Sequence, residues 1–224
     1  MFVVIFEVQP KQEQFDEYLN LAKFLKPELE KIDGFIDNER FASERTVGRV
    51  LSLSTWRDEK AVIRWRTLGV HHGVQQKGRL EVFEDYHLRV GEITADTEVP
   101  KGQTLREQRL DETETGGGKV ATISELSPLA GEKPASTDLA SNLGLPKTSC
   151  DGIVDQEVFE SIYNPGKLLL LVSWKDAAPA ERWKPKWVGA GELRHRRVRI
   201  IRDYGMTDRR EAPQYYPPVP AADG

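Results

Sequence analysis

Apolar positions recur along this chain with two different periods, and the switches between them mark out the elements. Phe2 to Val8 is a short apolar run rich in β-branched residues, the pattern of a buried strand. Phe15, Tyr18, Ala22, Leu25, Leu29 and Ile32 then step by three and four, which puts one apolar face on a helix. Pro27 falls inside that pattern and predicts a kink or a fresh first turn. Asp33-Gly34 closes the helix, since glycine accepts the left-handed cap. Phe35 to Ser43 alternates as a strand, Glu44 to Gly48 is a polar turn, and Arg49 to Trp56 alternates again, which predicts a hairpin. Asp58 suits the N-cap of a second helix that starts at about Glu59, carries Ala61, Val62 and Trp65, and breaks near Gly69. A further helical segment runs from His71 to Val82, and Tyr86 to Ile93 reads as the last strand. The order is β-α-β-β-α-β, the ferredoxin-like split unit.

That pattern occurs twice. Gly34 to Trp65 recurs at Gly152 to Trp183 with a constant offset of 118 and no gap. Gly34, Asp37, Glu39, Phe41, Ser43, Gly48, Leu51, Leu53, Trp56, Asp58, Arg64 and Trp65 become Gly152, Asp155, Glu157, Phe159, Ser161, Gly166, Leu169, Leu171, Trp174, Asp176, Arg182 and Trp183. Two tryptophans at one spacing in both copies are hard to obtain by chance. The chain therefore reads as two versions of one module, and their differences point to where chemistry can sit.

The second copy is degenerate. It opens with a strand at Lys119 to Leu126, but Pro128, Gly131 and Pro134 interrupt its first helix and leave only Thr137 to Leu143 helical. Its hairpin is intact, whereas Pro185 cuts its second helix short. His195 to Ile201 echoes His87 to Ile93 at an offset of 108, so ten residues are missing after Trp183. The reading divides the chain into a first unit at 1–94, a polar linker at 95–118 with a Gly116-Gly117-Gly118 run, a second unit at 119–205, and an extended tail at 206–224. A four-stranded sheet with both helices on one face leaves its other face uncovered, and a tandem copy can cover it. The expected fold is α+β: two ferredoxin-like βαββαβ units whose antiparallel sheets pack face to face as a pseudo-dimeric α/β barrel. A homodimer of the whole chain is a further possibility.

Composition narrows the classes. Of 224 residues, 38% are hydrophobic and 30% charged, with a net charge of −4, which suits a globular protein and supplies no basic stripe for nucleic acid. The densest basic run, Arg194 to Arg199, alternates with apolar residues like a strand. MFVVIFEV is too short for a signal sequence, and no run approaches the roughly 20 apolar residues of a membrane span. Cys150 is the single cysteine, so neither an intrachain disulfide nor a cysteine metal site can form, and a reducing cytoplasm is the simplest compartment.

In copy one, Ser54-Thr55-Trp56-Arg57-Asp58, then Trp65-Arg66, His72, Gln75, Gly78-Arg79, Phe83, Tyr86 and Val90, resemble the antibiotic-biosynthesis monooxygenase domains of the dimeric α/β-barrel superfamily. The resemblance runs from Val3 to about Thr94, and copy two has no match to His72. It implies a pocket between the sheet and its helices. It also implies one of several functions: cofactor-free oxygenation of a small aromatic or polyketide-like substrate, haem binding or haem degradation, or ligand binding without catalysis. Haem-degrading relatives use an asparagine on the first strand, and Phe2 to Gln9 contains none.

His72 is the candidate catalytic residue, as a base near neutral pH or as an axial ligand if haem binds; the bland alternative is a surface histidine at a helix start. His71 lies on another face of the helix, and either of the two could meet the pocket. Trp65 can wall a site for a flat ligand, yet Trp183 fills the matched place in the half without the histidine, which favours packing. With His71 and Tyr86 it forms the expected substrate-binding set. Trp56 and Trp174 read as core, Asp58 and Asp176 as helix caps. Arg64 and Arg182 read as ion-pairing or indole-packing residues. His87 and His195 match each other in the last strands and read as strand residues with a solvated edge. Cys150 reads as an unreactive loop residue. No cofactor is required on the leading reading; the expected partner is a small hydrophobic or aromatic ligand, with neither nucleic acid nor membrane.

Overall fold

The computed structural model describes residues 1–129, 135–146 and 152–213. Cys150, Gly131, Pro134, Tyr215 and Tyr216 lie outside the described residues. The first repeat supplies β1 (Phe2–Pro10), α1 (Phe15–Glu30), β2 (Phe35–Ser43), β3 (Val50–Trp56), α2 (Glu59–Thr67), α3 (Gly69–Lys77) and β4 (Phe83–Asp96). The second supplies β5 (Val120–Ser127), α4 (Leu139–Asn142), β6 (Ile153–Ser161), β7 (Leu168–Trp174), α5 (Ala177–Arg182) and β8 (Glu192–Gly205).

The strands form one closed antiparallel barrel in the order β1-β3-β2-β6-β7-β5-β8-β4. The α+β class and the antiparallel pairing are as expected, but two sheets packed face to face are not what forms. Each repeat presents two edge strands, β2 and β4 in the first and β6 and β8 in the second. Joining these edges satisfies backbone groups that stacked sheets would leave open. The faces without helices become the lumen. It is filled by one cluster drawn from both repeats, including Val3, Ile5, Phe41, Leu51 and Leu53 with their counterparts Ala121, Ile123, Phe159, Leu169 and Leu171.

At the first seam the register is Phe41↔Ser161, Ala42↔Glu160 and Ser43↔Phe159. Ala42 and Glu160 are 118 apart, so a pseudo-twofold axis passes between them. The flanking bonds obey it: Glu44 N–H donates to Val158 O at 3.0 Å and Ile162 N–H to Arg40 O at 2.9 Å. Ser161 Oγ donates to Glu39 at 2.6 Å, and Ser43 Oγ donates to Glu157 in return. The repeated Glu and Ser of the sequence motif are thus seam residues. The second seam, β4 against β8, is longer and contains two register shifts.

Outside the barrel the repeats diverge. α1 has 16 residues and continues through Pro27, which removes a hydrogen bond without ending the helix. Its counterpart α4 has four. The helix expected at His71 to Val82 is α3 followed by a π-helical turn at Gly78–Val82, where the Phe83 ring lies too close to Gly78 for any side chain there. Among the described residues no helix is long and apolar enough to cross a membrane.

Candidate functional site

Between the outer face of the first repeat and its helices lies a cavity of about 210 Å³. Strand alternation and register build its floor as two rows that cross five strands. One row is Arg40, Ser52, Phe6, Leu88 and Tyr204; the next is Asn38, Ser54, Val4, Val90 and Arg202. All ten side chains line the cavity. The last member of each row comes from β8, so the second repeat completes the wall of the first repeat's site. The roof is α1, from Tyr18 to Leu29, together with Val62 and Trp65 of α2 and His71, Val74 and Gln75 of α3. Tyr18 and Leu29 are about 16 Å apart along a helix, which sets the long axis.

The matched face of the second repeat is filled. Arg40, Ser52 and Ser54 become Val158, Leu170 and Val172, which pack with Leu139, Leu143, Leu145 and Trp183 in one apolar cluster. The counterparts of Val4 and Phe6, Thr122 and Ser124, have their hydroxyls taken by Trp174 Nε1 at 2.8 Å and His195 Nδ1 at 2.8 Å. Trp183 donates to Leu143 O at 3.2 Å and is buried. The polar floor of the first repeat is therefore not a requirement of the fold.

The two ends of the cavity differ. At one end Trp65 packs with Phe2, Leu29, Val62, Val4 and Val90. The His71 ring stacks on Trp65, centroids 4.0 Å apart and planes 17° from parallel. His71 Nδ1 lies 2.9 Å from Trp65 O. A carbonyl can only accept, so Nδ1 carries the proton and Nε2 is left as the acceptor. Burial pushes the His71 pKa down to about 4, partly opposed by the Trp65 carbonyl, so the imidazole is neutral at pH 7. His72, one residue on, is exposed and is not part of the wall.

At the other end Tyr86 and Tyr18 meet Phe6 and Phe83. Arg79 Nη1 donates to Tyr86 Oη at 2.7 Å, and Arg209 Nη1 donates to the same oxygen. Burial pushes the Tyr18 phenol's pKa up, with the Arg40 guanidinium beside it opposing the shift. Trp65, His71 and Tyr86 thus share one cavity, while His72 stands apart from it. Sequence reading missed Arg40, Asn38, Tyr18 and Arg202. The available signal was polar residues at strand positions whose parity faces the helices.

No three His, Cys, Asp or Glu side chains among the described residues are grouped as a metal site. A haem in this cavity would need an axial ligand from its wall. His72, the ligand that reading named, is not in the wall; the histidine in the wall, His71, stacks on Trp65.

Residues 1–77 match the family model described as antibiotic biosynthesis monooxygenase. Over 223 residues the chain is 43% identical to the protein named Jasmonate monooxygenase ABM of Pyricularia oryzae, covering 98% of this chain and 100% of that protein. The chain belongs to the antibiotic biosynthesis monooxygenase family. Its likeness to that family member spans both repeats, although the matched model ends at the last residue of α3. Among solved structures, an aldoxime dehydratase aligns over 89% of this chain and 81% of its own, with a TM-score of 0.56 and 11% identity. A second aldoxime dehydratase, crystallised with butyraldoxime, aligns over 92% and 80%, with a TM-score of 0.54 and 10% identity. These two likenesses concern the fold alone.

Proposed function

We propose that this protein is a cofactor-independent monooxygenase that oxidises a small, mainly apolar cyclic keto acid of the jasmonate kind in the cavity under α1 to α3. The observation that carries the reading is the neutral His71–Trp65 stack at one end of an apolar cavity whose wall also holds five guanidiniums. The 43% identical relative named for jasmonate supports the substrate class. The guanidiniums favour an acid over the neutral aromatic or polyketide-like substrate that the family resemblance alone implies.

The substrate ring lies against Trp65. A methylene beside the ring ketone loses a proton to His71 Nε2, and the enolate carbon bonds O2 with its electron pair. The peroxide takes up the proton and then loses water, leaving a second carbonyl. One oxygen atom stays in the product, the other leaves as water, and the substrate supplies every electron. An imidazole whose pKa is held near 4 is a weak base. Stabilising the enolate oxygen therefore matters more than base strength, and Arg202, paired with Val90 on the floor at this end, offers the charge. Incubation with jasmonate under ¹⁸O2 should yield a product carrying one labelled oxygen. His71→Ala and Trp65→Ala should each lower kcat/KM by about 100-fold, and His72→Ala by less than about threefold. Absence of oxygen uptake with jasmonate and with electron-rich phenols alike would sink the reading.

A further inference from the structure

The geometry points to a carboxylate-binding subsite built from Arg40 and Tyr18, which holds the acid group of the substrate at the end of the cavity remote from Trp65. This rests on the reading above and adds to it which atoms recognise the substrate and how it lies.

Charge balance gives the first argument. The wall holds five arginines and Lys26 against a single carboxylate, Glu59, but Arg66, Arg79 and Arg209 are engaged with other groups and Lys26 pairs with Glu30 at 3.9 Å. Glu59 is already engaged by both of its oxygens, at 2.7 and 2.8 Å from Arg109 Nη1. Arg79 and Arg209 direct donors at Tyr86. Arg40 makes no ion pair among the described residues, and its Nε is buried without an acceptor. A half-buried guanidinium facing apolar side chains with no counter-charge is costly, and a ligand carboxylate that meets its fork relieves that cost.

The second argument is an unmet polar group next to it. Tyr18 is only 5% exposed and lines the cavity, and its hydroxyl lies beside the Arg40 guanidinium without a well-formed hydrogen bond. The phenol O–H can still donate, and a buried donor without a well-aligned acceptor is rare in a folded protein. A carboxylate seated on Arg40 would accept the Tyr18 O–H with its second oxygen. Ser52 follows Arg40 along the same floor row.

The repeat supplies a third, independent argument. The position matched to Arg40 is Val158, packed in the apolar cluster of the filled half. The strand accepts an apolar residue there, so the arginine is not needed for folding. The polar end and the Trp65–His71 end then orient one molecule: acid at Arg40 and Tyr18, ring at Trp65.

The test is binding of jasmonate and 1-naphthylacetate, each against its neutral methyl ester, followed by quenching of tryptophan fluorescence and by calorimetry on the full chain. The wild type should bind each acid at least about 30-fold more tightly than its ester. Arg40→Met should remove that preference, chiefly by weakening the acid, and should leave ester binding within about threefold. Tyr18→Phe, which deletes one oxygen and nothing else, should weaken acids by about five- to tenfold and esters not at all. Equal binding of acid and ester, or an acid preference that survives in Arg40→Met, overturns the subsite. Labelled oxygen in the ester product would then leave the monooxygenase reading standing. If neither acid nor ester binds the wild type, the subsite and the substrate reading fall together.

Discussion

His71 and His72 are adjacent in sequence and about 100° apart around α3, which is enough to send one under the helix and the other into solvent. Sequence could mark the pair but not choose between its members, because the choice depends on where α3 begins and how α2 meets it. The Trp65 carbonyl at the end of α2 settles it by accepting from the His71 ring. This environment has a measurable consequence. A base of pKa about 4 places the acid limb of the pH–rate profile near pH 4, well below the 6.5 of an ordinary histidine. The same group links to stability. His71 and His195 both titrate near 4 when folded and near 6.5 when unfolded. Between those values the unfolded chain binds more protons, so stability rises with pH through that window and is fully present above about 6.5. His71→Phe should flatten the rise of Tm between pH 4.5 and 6.5. A kinetic limb at 6.5, or a Tm slope unchanged by the substitution, would contradict the assignment.

Among the elements, most boundaries were legible because caps and periods agree. Asp58 accepts the Ala61 N–H at 2.9 Å and starts α2 where the sequence places it, and Asp176 does the same for α5. Gly34 and Gly152, the matched turn glycines, have φ of +92° and +82°. At Gly34 a Cβ would also stand 2.7 Å from the Ala61 Cβ at the start of α2. Gly34→Ala therefore combines a left-handed backbone with a clash against a fully buried neighbour and should destabilise by about 2–4 kcal/mol. Gly73→Ala, in the middle of α3 with nothing near the new methyl, should instead stabilise by about 0.5–1 kcal/mol. Urea unfolding of the two variants checks both signs, and a Gly34→Ala protein as stable as wild type would show that this turn adjusts freely. Less legible was the π-helical turn after α3, since it forms where the Phe83 ring packs on Gly78, a contact that periodicity does not report. The Arg40 and Tyr18 subsite was hidden for a similar reason. Its residues come from β2 and α1, and only the register of five strands brings the floor together.

In the whole molecule, duplication was readable from the offset of 118, and with it a barrel made by both repeats; that their sheets join at the edges instead of stacking was not, because both arrangements bury the same face. Closure leaves two seams of unequal strength. β2 and β6 pair at three positions, whereas β4 and β8 pair over most of their length. The short seam is reinforced by charge: Arg45 Nη1 meets Asp155 at 2.8 Å, Arg45 Nη2 meets Glu157 at 2.5 Å, and Lys167 Nζ meets Glu39 at 2.5 Å. Glu157 is buried and Glu39 largely so, so these pairs are less screened than surface ones, although Arg45 and Asp155 themselves are half exposed. With so few ladder bonds, opening of the barrel should begin there. The amides of Glu44 and Ile162, which donate across this seam, should exchange faster in native-state hydrogen exchange than those of β4 paired with β8. Replacing Glu39 and Glu157 together by Gln removes the two carboxylates that serine, lysine and arginine share. The Glu44 and Ile162 amides should then exchange about tenfold faster, with little change at the β4–β8 seam. If instead both seams exchange together and at the global unfolding rate, the barrel opens as one unit. The pseudo-twofold axis through Ala42 and Glu160 would then mark a site of symmetry but not of weakness.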